Sequence, residues 1–188
     1  MTFRLADSLP REFLVELKRE LNETEAGLRE NVARSEGTGS QTGVSALHEI
    51  EKERRRRIEM FLDRGAGACW LKEERIAEVA CDALRFFDGK RYELGEWVVM
   101  PNHVHLVVRP MTEWTLSVVL KGMKGTIANE ANGILGTRGR FWQPESFNRV
   151  VRDEDELVRV HRYIRRNPVK AGLCKREEEW RWGSAWAG

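Results

Sequence analysis

Trp97-Val98-Val99-Met100-Pro101-Asn102-His103-Val104-His105-Leu106-Val107-Val108-Arg109 decides the fold. Two runs too apolar for a solvent-facing sheet flank a Pro-Asn turn pair, so residues 91–100 and 103–109 are expected as two strands of a tight hairpin. Side chains two apart in a strand share a face. His103 and His105 therefore project side by side, and Val104 and Leu106 enter the core behind them. Paired imidazoles on a rigid strand suit one cation. A bare His-x-His pair is weak evidence for that, and the other reading is two partly exposed, unligated histidines at a strand start.

Outward from the hairpin, the pattern alternates between strand and helix. A helix over residues 72–87 carries Ile76, Val79, Ala80, Ala83, Leu84 and Phe87 at helical spacing. Another runs over 116–135, and Gly136 to Gly139 is a loop. Residues 147–152 read as a strand. Asp153 to Glu156 supply a cap and first-turn acids for a last helix, which Pro168 is expected to end near Asn167. Phe3 and Leu5 alternate with polar neighbours as a short first strand. Strand, helix, strand, strand, helix, strand is the split βαβ order of ferredoxin-like α+β folds with an antiparallel sheet.

Residues 10–63 read as a helical hairpin inserted after the first strand. Phe13, Leu14, Leu17 and Leu21 mark its first helix, and Leu47, Ile50, Ile58, Phe61 and Leu62 its second, over 46–62. Residues 35–43, rich in Gly, Ser and Thr, read as a flexible loop between them. Arg54 to Arg57 point in several directions and are expected to be solvated. The expected organisation is thus one domain over 1–188, with the insertion at 10–63 and a C-terminal tail at 174–188.

Bulk properties bound the function. The chain has 188 residues with 33% charged and 41% hydrophobic, a composition suited to a soluble globular protein. No apolar run approaches the roughly 20 residues of a membrane span, and no signal-peptide core opens the chain. Cys69, Cys81 and Cys174 are unpaired by spacing, which suits a reducing cytoplasm. Residues 1–89 sum to −3 and residues 90–188 to +5, giving the net +2. Residues 159–176 hold seven Arg or Lys and no Asp or Glu, so they form either a solvated basic face or a phosphate-binding one.

Late in the chain, Tyr163 and Asn167 lie four apart on one helical face. A half-buried helix tyrosine is the common fate of such a residue; a nucleophile is the other reading. The remaining tyrosine, Tyr92, begins a strand and suits the core. Arg138, Arg140, Phe141 and Trp142 set cations beside aromatics, suited either to single-stranded nucleic acid or to a core tryptophan flanked by loop arginines. Trp180, Trp182 and Trp186 suit packing of the tail.

Together these segments resemble the REP-associated tyrosine transposases, relatives of small bacterial insertion-sequence transposases that use one tyrosine and an HUH histidine motif. The resemblance runs from Gly65 onward. Its anchors are Met100-Pro-Asn-His-Val-His-Leu-Val107, Phe141-Trp-Gln143 and Tyr163-Ile-Arg-Arg-Asn-Pro-Val-Lys-Ala-Gly-Leu173, and Thr2-Phe3-Arg4-Leu5 is similar to the family's first strand. It implies a single-strand DNA transesterase: Tyr163 as nucleophile forming a 5′-phosphotyrosine, and His103, His105 and Asn167 as ligands of Mg2+ or Mn2+. The implied partner is single-stranded DNA beside palindromic repeat hairpins, bound by a monomer or a dimer. Candidate DNA contacts are Lys121, Lys124, Arg138, Arg140, Trp142, Arg162, Arg165, Arg166 and Lys170. Relatives often carry a tyrosine and an acidic residue after the Trp-Gln pair, where this chain has Glu145-Ser-Phe147-Asn148-Arg149. Two other functions stand beside the transesterase: a catalytically weak hairpin-binding protein on the same fold, and a zinc hydrolase using His103 and His105.

Overall fold

Strand β3 (His103–Pro110) is the axis of the sheet, paired antiparallel on one side with β1 (Thr2–Arg4) and on the other with β2 (Tyr92–Met100). The computed structural model describes residues 1–34, 39–144 and 146–188, with side chains described outside 28–47. Helices α1 (Arg11–Arg34), α2 (Gly39–Asp63), α3 (Glu74–Arg85), α4 (Leu116–Leu135) and α5 (Glu154–Lys170) complete the element order. The fold is α+β with a three-stranded antiparallel sheet. Contacts divide the chain into two units, residues 1–8 with 65–188, and residues 9–64.

The period-two reading of β3 holds on both faces. Phe3, Val99, Val104 and Leu106 are fully buried on one face, in a core shared with Ile76, Ala80 and Leu84 of α3 and Met123 and Ile127 of α4. Val98 and Met100 point to the other face and pack with Ile164 of α5. Helix α4 is capped as its ends dictate: Thr115 accepts from Val118 N–H, and Gly136 takes the left-handed conformation that a glycine adopts freely. The Asp153 side chain accepts from Glu156 N–H at 2.7 Å and starts α5, with three acids in the first turn to complement the dipole. Beyond α5, the tail lies along the outer edge of β2. Val99 N–H donates to Trp182 O at 2.8 Å, and Trp180 Nε1 donates to Val99 O at 3.0 Å. Trp186 is 46% exposed and packs less.

Several boundaries differ from expectation. The expected strand at 147–152 shrinks to one bridge, with Phe147 exchanging both backbone hydrogen bonds with Thr2 at 2.9 Å. Val150 beyond it is 79% exposed, so the apolar alternation there has no face to bury. Helix α5 does not stop at Asn167 but continues through Pro168 to Lys170. Asn167 is fully buried and Pro168 is buried too; packing outweighs the pre-proline preference, and a proline one turn from the end forfeits little of the hydrogen-bond ladder. A short 3-10 turn, Trp70–Lys72, precedes α3, which begins at Glu74.

In the second unit, α2 is helical from Gly39 rather than from residue 46. Each small polar residue costs under ~1 kcal/mol in a helix, so composition alone is a weak guide to a loop. The rest of the expected loop, 35–38, lies outside the described residues. Leu17, Ile58 and Leu62 are buried in this unit, and Phe13 stacks on Phe61 at 4.1 Å. The Arg54–Arg57 run is largely ion-paired: Arg54 faces Glu51 at 3.5 Å, Arg56 faces Glu53 at 2.7 Å, and Arg57 pairs with Glu20. No helix among the described residues is long and apolar enough to cross a membrane.

Candidate active site

Strand register assembles the site. Thr2 stands opposite His105 and Arg4 opposite His103 across the β1–β3 ladder, while Val98 and Met100 oppose the same histidines from β2. Facing residues share a side of the sheet, so a single face carries both imidazoles and Arg4. Helix α5 covers that face through Ile164. Gly95 permits a close approach nearby: a Cβ there would meet Val107 Cβ at 3.1 Å and His161 Nε2 at 3.2 Å.

His103 and His105 are 1% and 2% exposed, and their Nε2 atoms converge to 3.0 Å. The other ring nitrogens are occupied. His103 Nδ1 is 2.7 Å from Asn102 Oδ1, and His105 Nδ1 is 2.7 Å from Thr2 Oγ1. Burial pushes the His103 imidazole down to about 3, helped by the charges of Lys170 and Arg4. Burial also holds His105 well below the usual histidine range, with His103, the terminal amine and Lys170 acting in the same direction. Both rings are neutral at pH 7 and keep the lone pairs that a metal requires.

The Tyr163 ring meets the His105 ring edge to face, with centroids 5.4 Å apart and an interplanar angle of 76°. Lys170 Nζ stands 5.9 Å from the Tyr163 ring centre. One turn on, Asn167 is fully buried, yet neither its Oδ1 nor its Nδ2 has a hydrogen-bond partner among the described residues. An orphaned buried amide costs about 1–3 kcal/mol, so its retention points to a ligand. Among the described residues no group of three His, Cys, Asp or Glu could hold a metal. Two imidazoles fit a divalent ion only with oxygens supplied by an amide, water or substrate.

The residues expected to touch DNA are distributed unevenly. Lys121, Arg138, Arg140, Arg162, Arg166 and Lys170 are exposed. Lys124 is tied down, donating to Gln143 O at 3.0 Å and Ser146 Oγ at 3.2 Å. Trp142 is 5% exposed, donates Nε1–H to Lys124 O at 3.0 Å and packs edge-on against Phe3 and Phe141. It thus offers no open face for a base to stack on. Arg165 is paired with Glu177 at 3.4 Å and Glu96 at 3.9 Å. It lines a cleft of about 410 Å³ with Val158, His161, Arg162, Arg166, Glu96 and Glu177. Helical spacing sets that basic edge of α5 apart from the Tyr163–Asn167–Lys170 edge. Tyr92 is a core residue whose hydroxyl donates to Leu84 O at 2.7 Å. Cys81 is no nucleophile, since burial pushes its thiol up to about 12.

Sequence reading missed Thr2, Arg4 and Asn102 as members of the site. Arg4 is 4% exposed, donates Nε–H to Gln143 Oε1 at 3.1 Å and lies 4.8 Å over the Phe147 ring. The Gln143 of the Phe-Trp-Gln segment therefore holds a buried cation beside the histidines, and a buried charge survives only with such partners.

Two buried neutral imidazoles beneath a helix tyrosine, on an antiparallel sheet, define an α+β domain with a paired-histidine, single-tyrosine site. The family model described as "Transposase IS200 like" matches residues 71–167, and the chain belongs to this family of IS200-like transposases. No curated protein matches the chain significantly. A solved structure described as a REP-associated tyrosine transposase bound to a REP hairpin is similar, with 22% identity and a TM-score of 0.48, over 60% of this chain and 65% of that one. The match therefore spans less than two thirds of that protein's length.

Proposed function

We propose that this protein is a metal-dependent single-stranded DNA endonuclease and strand transferase on a ferredoxin-like frame, acting in the cytoplasm beside palindromic repeat hairpins. Tyr163 is the nucleophile. His103, His105 and Asn167 would hold Mg2+ or Mn2+. Lys121, Arg138, Arg140, Arg162, Arg166 and Lys170 would line the DNA path. The single observation that carries the reading is the approach of the Tyr163 ring to within 5.4 Å of an imidazole whose Nε2 converges on its neighbour.

A phosphodiester resists attack because its oxygens repel a nucleophile. The bound ion would offset that charge on a nonbridging oxygen. The chain does the rest. Tyr163 Oη attacks phosphorus, the bond to the 3′ oxygen breaks, and a 5′-phosphotyrosine and a free 3′-OH result. A phenol titrates near 10, so nearby cations must favour its anion; Lys170 is placed to contribute. Arg4, held by Gln143, supplies a second fixed positive charge on the same face. The phosphotyrosine conserves the bond energy, so a new 3′-OH can reverse the step, and joining needs no ATP.

The test is a labelled hairpin oligonucleotide with a single-stranded flank, incubated with Mn2+ and resolved under denaturing conditions. A covalent protein–DNA adduct is expected, abolished by EDTA and by Tyr163→Phe. An adduct that persists in Tyr163→Phe would refute the assignment. Tight DNA binding with no adduct would favour a hairpin-binding protein instead.

A further inference from the structure

The two imidazoles are supported by partners of unlike chemistry, and the difference has a consequence. Asn102 Nδ2 lies 2.9 Å from the Ala66 carbonyl, which can only accept a hydrogen bond. The amide is thereby oriented, so the atom 2.7 Å from His103 Nδ1 is the acceptor Oδ1. His103 must carry its proton on Nδ1 and present a bare lone pair at Nε2. That lone pair faces His105 Nε2 across 3.0 Å. Two lone pairs at this distance repel, so with no cation between them His105 must donate Nε2–H. Its Nδ1 then accepts, and the Thr2 hydroxyl 2.7 Å away donates. A cation shared by both Nε2 atoms needs the reverse state of His105, with the proton on Nδ1 and Thr2 Oγ1 accepting. A hydroxyl serves both roles by rotating its hydrogen, whereas the anchored amide serves only one.

We propose that Asn102 is a fixed positioning residue and Thr2 a switching one: loading the site relocates the His105 proton from Nε2 to Nδ1 as the Thr2 hydroxyl turns from donor to acceptor, while His103 keeps one tautomer throughout. The inference rests on the reading of His103 and His105 as metal ligands. The proton balance closes: one proton leaves Nε2 for solvent and one returns to Nδ1, so the pair releases none. The surrounding backbone is built to hold the fixed arm. Ala68 N–H donates to Asp7 Oδ2 at 2.7 Å, and Leu71 N–H donates to Pro101 O at 3.2 Å. Gly67, at φ +85°, lies so close to Asp7 that a Cβ would stand 2.8 Å from its carbonyl oxygen. The Asp7 contacts pin the loop that carries the Ala66 carbonyl to the segment after β1, and the Leu71 contact ties the following turn to the one that carries Asn102. The switching arm is set by register alone, Thr2 opposite His105.

Long-range proton–nitrogen spectra of the full chain read the tautomers directly, first in EDTA and then with Zn2+ as a diamagnetic probe. In EDTA, His103 is expected protonated on Nδ1 and His105 on Nε2; with Zn2+, both on Nδ1. Mn2+ affinity, followed by electron spin resonance, should fall about 10–100-fold in Thr2→Val and recover in Thr2→Ser, which restores the hydroxyl. His103 protonated on Nε2 in EDTA would overturn the fixed arm. Zn2+ binding with the His105 tautomer unchanged, or a Thr2→Val protein of undiminished affinity, would overturn the switch alone. The expected tautomers in EDTA, with neither ion bound even after a single-stranded oligonucleotide is added, would instead sink the metal reading.

Discussion

Acidification should unfold the sheet unit through its histidines, and the size of the effect follows from their burial. Folding holds the His103 imidazole near 3, against an ordinary value of 6.5. The folded state therefore refuses a proton that the unfolded chain accepts. Above pH 6.5 neither state is protonated and nothing is lost. Below it, stability falls by about 1.36 kcal/mol per pH unit until the folded value is reached. Between pH 8 and pH 5 the loss from His103 alone is about 2 kcal/mol, a sizeable share of a typical 5–15 kcal/mol. His105 is depressed for the same reason and adds a loss of the same sign. The assay is urea unfolding in EDTA at both pH values, followed by tryptophan fluorescence. All seven tryptophans lie at or beyond residue 70, so the signal reports the sheet unit rather than residues 9–64. His103→Gln removes the titrating ring, and the difference between the two pH values should shrink by about 2 kcal/mol. An identical pH dependence in the variant would mean that the ring titrates normally. The claim that burial keeps the paired imidazoles neutral would then fail.

Two further substitutions separate support from function. Asn167→Ala deletes a buried amide without a partner among the described residues; the relief of desolvation offsets the cavity, so unfolding free energy in EDTA should change by under ~1 kcal/mol while Mn2+ affinity drops. A loss of 3 kcal/mol or more with unchanged affinity would make it an ordinary core residue. Trp142→Phe removes the hydrogen bond to Lys124 O and should cost roughly 1–2 kcal/mol of stability. Its oligonucleotide affinity per folded molecule should be unchanged, and a marked loss would restore the ring as a stacking platform.

How far the sequence reveals this molecule depends on the range of each signal. Short-range patterns read well. The period of two in residues 103–109 sets His103 and His105 on one side and Val104 and Leu106 on the other, as found. The Asp153 cap and the extent of α4 were equally legible, because capping and amphipathic spacing are local. Pairing across about a hundred residues was not. Thr2 and Arg4 reach the histidines only through the β1–β3 register, which no local pattern encodes. Asn102 reads as a turn residue, and its second role shows only once the Ala66 carbonyl is seen beside it. The face of α5 that meets the sheet was legible only in part. The spacing of Tyr163 and Asn167 put them together, but their direction depends on Ile164 docking against Val98 and Met100. Pro168 misled for a related reason: a local preference of a few kcal/mol yields to burial of the residues around it.

Burial is the main reason the imidazoles stay neutral, and the nearby charges that assist it also shape what the site can bind. Lys170 and Arg4 depress His103, and Lys170 also depresses His105. A field that resists a proton on a ring also resists a divalent cation held by that ring. The proposed shell of two imidazoles and an amide is in addition a poor one for a hard ion that prefers oxygen. On the proposed reading, both deficits are met by one event. A phosphate entering beside Tyr163 brings negative charge to offset Lys170 and Arg4, and nonbridging oxygens to complete the shell. Metal and DNA then bind with positive coupling, and by linkage each raises the affinity of the other by the same factor. On that proposal, a cleaving centre assembled in this way would be weakly loaded until a strand is in place, which would confine its chemistry to DNA already seated against the tyrosine.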